Sequence, residues 1–570
     1  MIEAAPILVI FAVIVLAAAM MIMQENRRQK NLFIKKISRS WGKKPDTAYS
    51  AEEFESISHF FKKELLDPDA FWVDDITWND CDMDRIFRTV AATMSSPGDS
   101  VLYAWLRKPS FDAEELSKRN RLIEFLQKDE KTREKLLHVL AETGRMRGLS
   151  FYDYLAAVRD AKRIGSGKFI VLGIAMVTGI VLLFVNPLIG LGIILLTMAV
   201  NIAVYLKSKD TTKMQIRSFS CILKMIRCAE KICALKVPAF EDLSAELADA
   251  AGKLAAFKKG AFLVTSSGRI GTGITDMILE YMKLFFHADL IKFDQMLDSV
   301  SGNEEACLTL LRGIGTLDAA CAAASFREYL PVSCRPEFTG TDKSEKAEKA
   351  VIQAKGMVHP LLTNAVPNSF TVSGGNLITG SNASGKSTFL KSAAISQILA
   401  QSIMTVPAEE WKAPLLRVFS SMALTDDLVK GESYFIVEIR SLLRIMDAAS
   451  DGSGIPVLGI VDEVLRGTNT IERISASSQI LRRLNGEKMI IFAATHDIEL
   501  TYILDGIYRN LHFEEEIRDK DVVFNYKLLE GRAHSRNAIA LLQIAGYDDS
   551  VVTGARAQAE RFEKTGEWKL

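Results

Sequence analysis

The sequence predicts an α/β domain over residues 341–570, preceded by an all-α region, residues 48–340, that is interrupted by transmembrane helices. Three observations carry this. An apolar run breaks at residue 380 into a glycine-bounded loop and then a helix-compatible segment. Two further apolar runs downstream end in polar pairs. Three uncharged apolar stretches are long enough to cross a bilayer.

The loop comes first because its spacing is the most specific. The pattern G-x-x-x-x-G-K-[S/T] is met by Gly380, Gly385, Lys386 and Ser387, between a strand Asn376-Leu377-Ile378-Thr379 and a helix from Ser387 onward. This is the context of a P-loop. Glycines let backbone N–H groups curl around phosphate, Lys386 reaches the β and γ oxygens, and the Ser387 hydroxyl holds Mg²⁺. The candidate ATP-binding set is Gly380, Ser381, Asn382, Ala383, Ser384, Gly385, Lys386, Ser387 and Thr388.

Residues 455–461, IPVLGIV, read as a buried strand ending in Asp462-Glu463. An acidic pair there, downstream of a P-loop, suits a Walker B: Asp462 orders the Mg²⁺ shell and Glu463 polarises the attacking water. Residues 489–494 give another buried strand, ending in Thr495-His496-Asp497, where His496 is placed to sense or stabilise a γ-phosphate. Lys386, Glu463 and His496 are the candidate catalytic residues, and Ser387 and Asp462 the candidate metal ligands.

The whole chain has 570 residues, 48% of them hydrophobic, with 70 basic against 70 acidic side chains. That balance provides no global attraction for nucleic acid, so any DNA contact must be local. Seven cysteines (81, 221, 228, 233, 307, 321, 334) form no C-x-x-C pair, which argues against zinc and for reduced thiols.

Residues 5–23 form an uncharged apolar run followed by Arg27, Arg28, Lys30, Lys35, Lys36, Arg39, Lys43 and Lys44, the pattern of an anchor whose C-terminal side is cytoplasmic. A cleaved signal peptide fits less well, because Glu3 and no base precede the run. Residues 169–185 and 188–206 are two more such runs around Asn186-Pro187, with Lys162, Arg163 and Lys168 before and Lys207 and Lys209 after. They read as a transmembrane hairpin with both ends inside. The expectation is a multi-pass cell-membrane protein with its α/β domain in the cytoplasm. Elsewhere residues 111–147, 214–234, 274–298 and 313–330 carry helical spacing.

GSNASGKST (380–388), SYFIVEI (433–439), DEVLRGTNT (462–470) and ATHDIELT (494–501), in this order and spacing, resemble the ATPase domain of the MutS family of DNA mismatch-repair proteins. His359-Pro360, Val406-Pro407-Ala408 and Asp426-Asp427-Leu428 support the match, and the tail 526–560 is similar to the family's C-terminal dimerising helices. The helical region is similar, more weakly, to the family's core or lever domain. The resemblance implies an ABC-type, MutS-like fold and a homodimer that sandwiches two nucleotides, with Ser433 of one subunit approaching the γ-phosphate bound by the other. It also implies that Arg466-Gly467-Thr468-Asn469 sits at the seam, and that the switch is coupled to mismatched or branched DNA. Too little chain precedes residue 74 for the family's N-terminal mismatch-recognition domain, so the expectation is a membrane-anchored variant lacking it. Ala383-Ser384 departs from the family's usual Met-Gly. The other reading keeps the same ATPase engine but couples it to an unidentified protein partner or to the bilayer. An ABC transporter fits less well, because Ser433-Tyr434-Phe435 stands in place of its signature.

Overall fold

The structure, a computed structural model, describes residues 38–64, 70–146, 148–211, 213–265, 283–340, 349–381, 383–422, 434–466, 468–518, 521–533, 538–544, 546–566 and 568, with isolated positions 21, 24, 25 and 28. Nearly all of the run 5–23, the 426–428 segment, Asn382, Ser433 and Gly467 therefore lie outside the described residues. The chain divides into two units: residues 1–68, 90–104 and 121–326, and residues 69–89, 105–120 and 327–570.

The regular elements of the first unit, among its described residues, are all helices. Helices α1 (Ser166–Val185) and α2 (Pro187–Thr211) form a hairpin whose turn is Asn186 alone. The Asn186 N–H bonds to the Leu182 carbonyl at 2.7 Å, its side chain accepts from the Ile189 N–H at 3.3 Å, and Pro187, with no N–H to leave unpaired, opens α2. Close packing depends on small residues: a Cβ on Gly190 would fall 2.4 Å from Leu183 N. Both helices are long and apolar enough to cross a membrane, and the protein buries little of either.

Helix α3 (Lys213–Ala234) follows. The helix expected from 274 to 298 is broken: 274–282 lie outside the described residues, and His287 adopts a left-handed φ of 51° between a turn at 283–286 and α4 (Ala288–Ser301). The break seats the buried His287 ring on α2, with Nε2 3.1 Å from Asn201 Oδ1, while Asn201 Nδ2 donates to the Phe285 carbonyl at 2.9 Å. Helix α5 (Glu304–Tyr329) is also long and apolar enough to span a membrane, but 83% of its apolar window is buried inside the protein. Leu310, Leu311, Ile314 and Leu317 make it a core helix.

The second unit is built on nine strands among the described residues: β1 (Glu337–Thr339), β2 (Val351–Met357), β3 (Asn368–Thr379), β4 (Glu410–Pro414), β5 (Arg417–Ser421), β6 (Val457–Asp462), β7 (Met489–Ala494), β8 (Tyr508–Arg518) and β9 (Asp521–Glu530). Their order is β1-β4-β2-β3-β7-β6-β5, with β8 also on β3 and β9 on β8. Strand β3 serves two sheets. Its first half pairs antiparallel with β2, and from Gly374, at φ 60°, its second half lies parallel between β7 and β8. Strands β6 and β7 read as unbroken apolar runs because helices cover both faces. Phe389 of α6 (Lys386–Ile403) packs edge-on against Phe370, Phe492 and Phe513 on one side. On the other, α7 (Tyr434–Ser450) and α8 (Thr470–Leu484) bury Leu442, Ile445, Leu481 and Leu484 against Val457 and Ile491. The early segment 69–89 belongs to this unit: Asp80 accepts the Ser420 hydroxyl at 2.6 Å and the Met422 N–H at 3.0 Å. Helix α9 (Asp549–Thr565) closes the chain.

Candidate active site

The parallel register brings three strand ends to one edge. Ala494 lies opposite Ile378 of β3 and opposite Asp462 of β6, so the residues that follow β3, β6 and β7 open on the same side, where α/β sheets carry their sites. These segments are the loop 380–385, Glu463 and Thr495-His496-Asp497.

The loop leaves β3 at Gly380 and enters α6 at Gly385, whose φ of 107° makes it the helix N-cap. A Cβ on Gly380 would sit 2.8 Å from the Phe513 carbonyl and 3.0 Å from Ser384 Oγ, so glycine is what lets the loop pass. Ala383 also takes a left-handed φ, 65°. Lys386, only 5% exposed, folds back so that Nζ donates to the Gly380 and Ser381 carbonyls at 2.8 Å each. Burial holds its amine below the usual lysine range, with the carboxylates of Asp462, Glu463 and Glu515 opposing. Ser387 and Thr388 are exposed on the first turn of α6.

His496 Nε2 lies 3.1 Å from Glu463 Oε1 and 3.5 Å from Lys386 Nζ. Burial, then the Lys386 charge, hold the imidazole below its ordinary pKa against the pull of Glu463, so the ring is neutral at neutral pH. Arg473 of α8 fixes the next residue by a fork onto Asp497, at 3.0 and 2.6 Å. Glu463 sits at φ 60° and Leu465 at φ 57°, a conformation that costs a β-carbon residue about 1–3 kcal/mol and persists only where neighbours impose it. Two bonds do so: the Glu463 N–H to the Ala494 carbonyl at 3.0 Å, and the Leu465 N–H to Glu438 Oε1 at 2.5 Å. Arg466 Nε pairs with the other Glu463 oxygen at 2.8 Å.

These residues fit a nucleotide and Mg²⁺. The Ser384 hydroxyl is buried with no hydrogen-bond partner among the described residues, an orphan donor inside the loop. The hydroxyl of Ser387 and the carboxylate of Asp462 are hard oxygen ligands of the kind Mg²⁺ takes. A cavity of about 240 Å³ adjoins the loop, its wall shared between apolar and aromatic Leu362, Phe513 and Tyr526 and polar His359, Asn364 and Thr388.

The model of the family domain "MutS domain V" matches residues 376–563. Residues 376–563 form a MutS domain. The chain is similar to the DNA mismatch repair protein MSH3 of Phaeosphaeria nodorum, 30% identical over 48% of this chain and 25% of that protein. It is also similar to the DNA mismatch repair protein MutS of Symbiobacterium thermophilum, 34% identical over 45% and 30%, and to that of Thermus aquaticus, 33% identical over 36% and 26%. The chain thus spans less than a third of the length of each of these relatives.

Within the MutS domain, sequence reasoning passed over two carboxylates. Glu438, in the quoted run 433–439, is the buried clamp on the loop after β6, and burial raises its carboxyl. Glu515 of β8, also buried, accepts the Ser381 hydroxyl at 2.7 Å. The signal for Glu438 was one acid among apolar helix positions. Glu515 had none, because a β-bulge between Phe513 and Glu515 re-aims it from an acidic run.

Proposed function

We propose that this chain is a membrane-held ATPase of MutS type, in which ATP binding and hydrolysis drive a dimer switch coupled to mismatched or otherwise distorted DNA. The observation that carries the ATPase reading is the meeting of Lys386, Glu463 and His496 at the ends of three parallel strands. Nucleotide draws Lys386 Nζ off the two loop carbonyls onto the β and γ oxygens, and the N–H groups from Gly380 to Thr388 cradle the phosphates. Glu463 polarises the water that attacks the γ-phosphorus, and the neutral His496 ring relays the state of that phosphate to Glu463. Mg²⁺, held by Ser387 and Asp462, would offset charge on the phosphate oxygens. Ser433 of a second copy would complete the site. The exposed Ile436, Ile439 and Leu443 make an apolar strip along α7 that suits such a partner.

DNA coupling is supported by the mismatch-repair names of the relatives. The alternative, an engine coupled to a protein partner or the bilayer, is favoured by the unburied apolar faces of α1 and α2, which also support a multi-pass cell-membrane location with the MutS domain in the cytoplasm. The test is ATP hydrolysis by full-length protein in nanodiscs, with and without homoduplex, mismatched and branched DNA over a salt series. Stimulation that fades with salt supports the DNA reading. An intact basal rate indifferent to every DNA moves the coupling to the alternative. Lys386→Ala should hydrolyse nothing above background, and a wild-type rate there would overturn the P-loop assignment.

A further inference from the structure

A groove of about 770 Å³ runs between α1 and α4, walled by Ile174, Val177 and Val181 on one side and Phe286 and Ile291 on the other, almost wholly carbon. The geometry points to a binding site for one anionic phospholipid of the cytoplasmic leaflet, its acyl chain lying along α1 and its phosphate at Lys292. This rests on the membrane-spanning reading of the hairpin.

Length, depth and charge agree. From Ile170 to Val181 the helix rises about 16 Å, close to half of a hydrocarbon core of about 30 Å, the thickness of one leaflet's chains. The polar end is placed by Asp294 of α4, which accepts the Ile164 and Gly165 N–H groups at 3.0 Å each. Lys292 and Gln295 therefore stand level with the start of α1, beside Lys162, Arg163 and Lys168, at the end that the basic residues assign to the cytoplasm. Phe286, near Gly173, stands deeper.

Among the described residues, the two lysines at this mouth, Lys292 and Lys259, have no carboxylate partner, whereas Arg163 has one in Asp298. Among the described residues Lys292 Nζ meets Gln295 Oε1, at 3.4 Å, and its Cε is 3.5 Å from where a Gly260 Cβ would lie, which brings Lys259 alongside. Burial and the Lys259 charge hold the Lys292 amine below its usual range. The nearby acids are engaged: Asp294 with the two N–H groups, and Asp298 with Arg163 at 2.5 Å. A phosphate diester supplies the missing charge, and a chain of methylenes fills the groove.

Native mass spectrometry of detergent-held full-length protein, titrated with dioctanoyl phosphatidylglycerol or dioctanoyl phosphatidylcholine, reads the site. Alkaline extraction from vesicles reads membrane integration separately. Wild type should prefer the glycerol lipid by about fivefold for each lysine engaged. Lys292→Gln should lose about fivefold of that preference, and Ile174→Trp, which fills the groove, should lose retention of both lipids, with integration unchanged in both variants. Integrated protein that binds the two lipids equally, or that keeps its full preference in Lys292→Gln, overturns the site alone. Protein stripped from vesicles at alkaline pH overturns the spanning reading and the site with it.

Discussion

Glu463 concentrates the chemistry of the site in one residue. It follows β6 directly, is held at a left-handed φ, and places one carboxylate oxygen on His496 and the other on Arg466. If Glu463 is the base, as proposed, Glu463→Gln keeps the shape and removes it, so the variant should bind ATP normally and hydrolyse it at least about a hundredfold more slowly. An unchanged single-turnover rate would place water activation elsewhere. His359 makes a different, measurable claim. Burial and the charges of Lys391 and Arg85 push its imidazole down to about 4, while Nδ1 accepts the Leu361 N–H at 3.3 Å. Because the folded pKa is the lower one, the unfolded chain takes up the proton first. The contribution to stability is whole above about pH 6.5 and is lost as the pH falls towards 4, up to about 3 kcal/mol. Denaturant midpoints between pH 4 and 7 should therefore slope less in His359→Gln than in wild type, and equal slopes would refute the assignment.

At the scale of elements, the site depends on what lies behind the strands. Helix α7 contributes no group to the cradle among its described residues, yet its Glu438 sets the conformation of 463–466 through the Leu465 N–H. Glu438→Ala leaves that donor unpaired in a buried place and should cost about 1–3 kcal/mol, with kcat falling at least about tenfold as Glu463 relaxes and ATP binding retained. Glu438→Gln, which keeps an acceptor oxygen, should recover most of both losses in denaturation and steady-state assays. A Glu438→Ala protein with wild-type kcat would mean that the strand end holds its shape without the clamp. The hairpin shows the same dependence on small groups: Gly190 sits where any side chain would meet the Leu183 backbone.

For the whole molecule, the predictions concern what a single chain leaves exposed. Ile436, Ile439 and Leu443 project from one face of α7 at helical spacing, next in the chain to Ser433. If this strip is where two copies meet, Leu443→Glu should shift the ATP-bound protein from dimer to monomer in light scattering and lower the ATPase rate without changing nucleotide binding to the monomer. A variant that remains dimeric would move the contact elsewhere, with the exposed Val551 and Phe562 of α9 the next surface to test.

Local spacing determined a good deal by itself. The P-loop, the acidic pair and the Thr-His-Asp turn were legible because each follows an apolar strand directly, so chemistry and secondary structure share one short window. The apolar helical hairpin was legible because residues 169–206 carry no charge at all. Charges within α5, among them Arg312, Asp318 and Arg327, already set it apart from the uncharged hairpin runs. Packing agrees, burying α5 and leaving the hairpin helices exposed. Packing also decided that residues 69–89 join the MutS-domain unit, that β3 changes sheet at Gly374, and that Glu438 and Glu515 reach the site. These are contacts between segments tens to hundreds of residues apart. Their partners are chosen by burial and hydrogen-bond satisfaction in three dimensions, which no window of sequence contains.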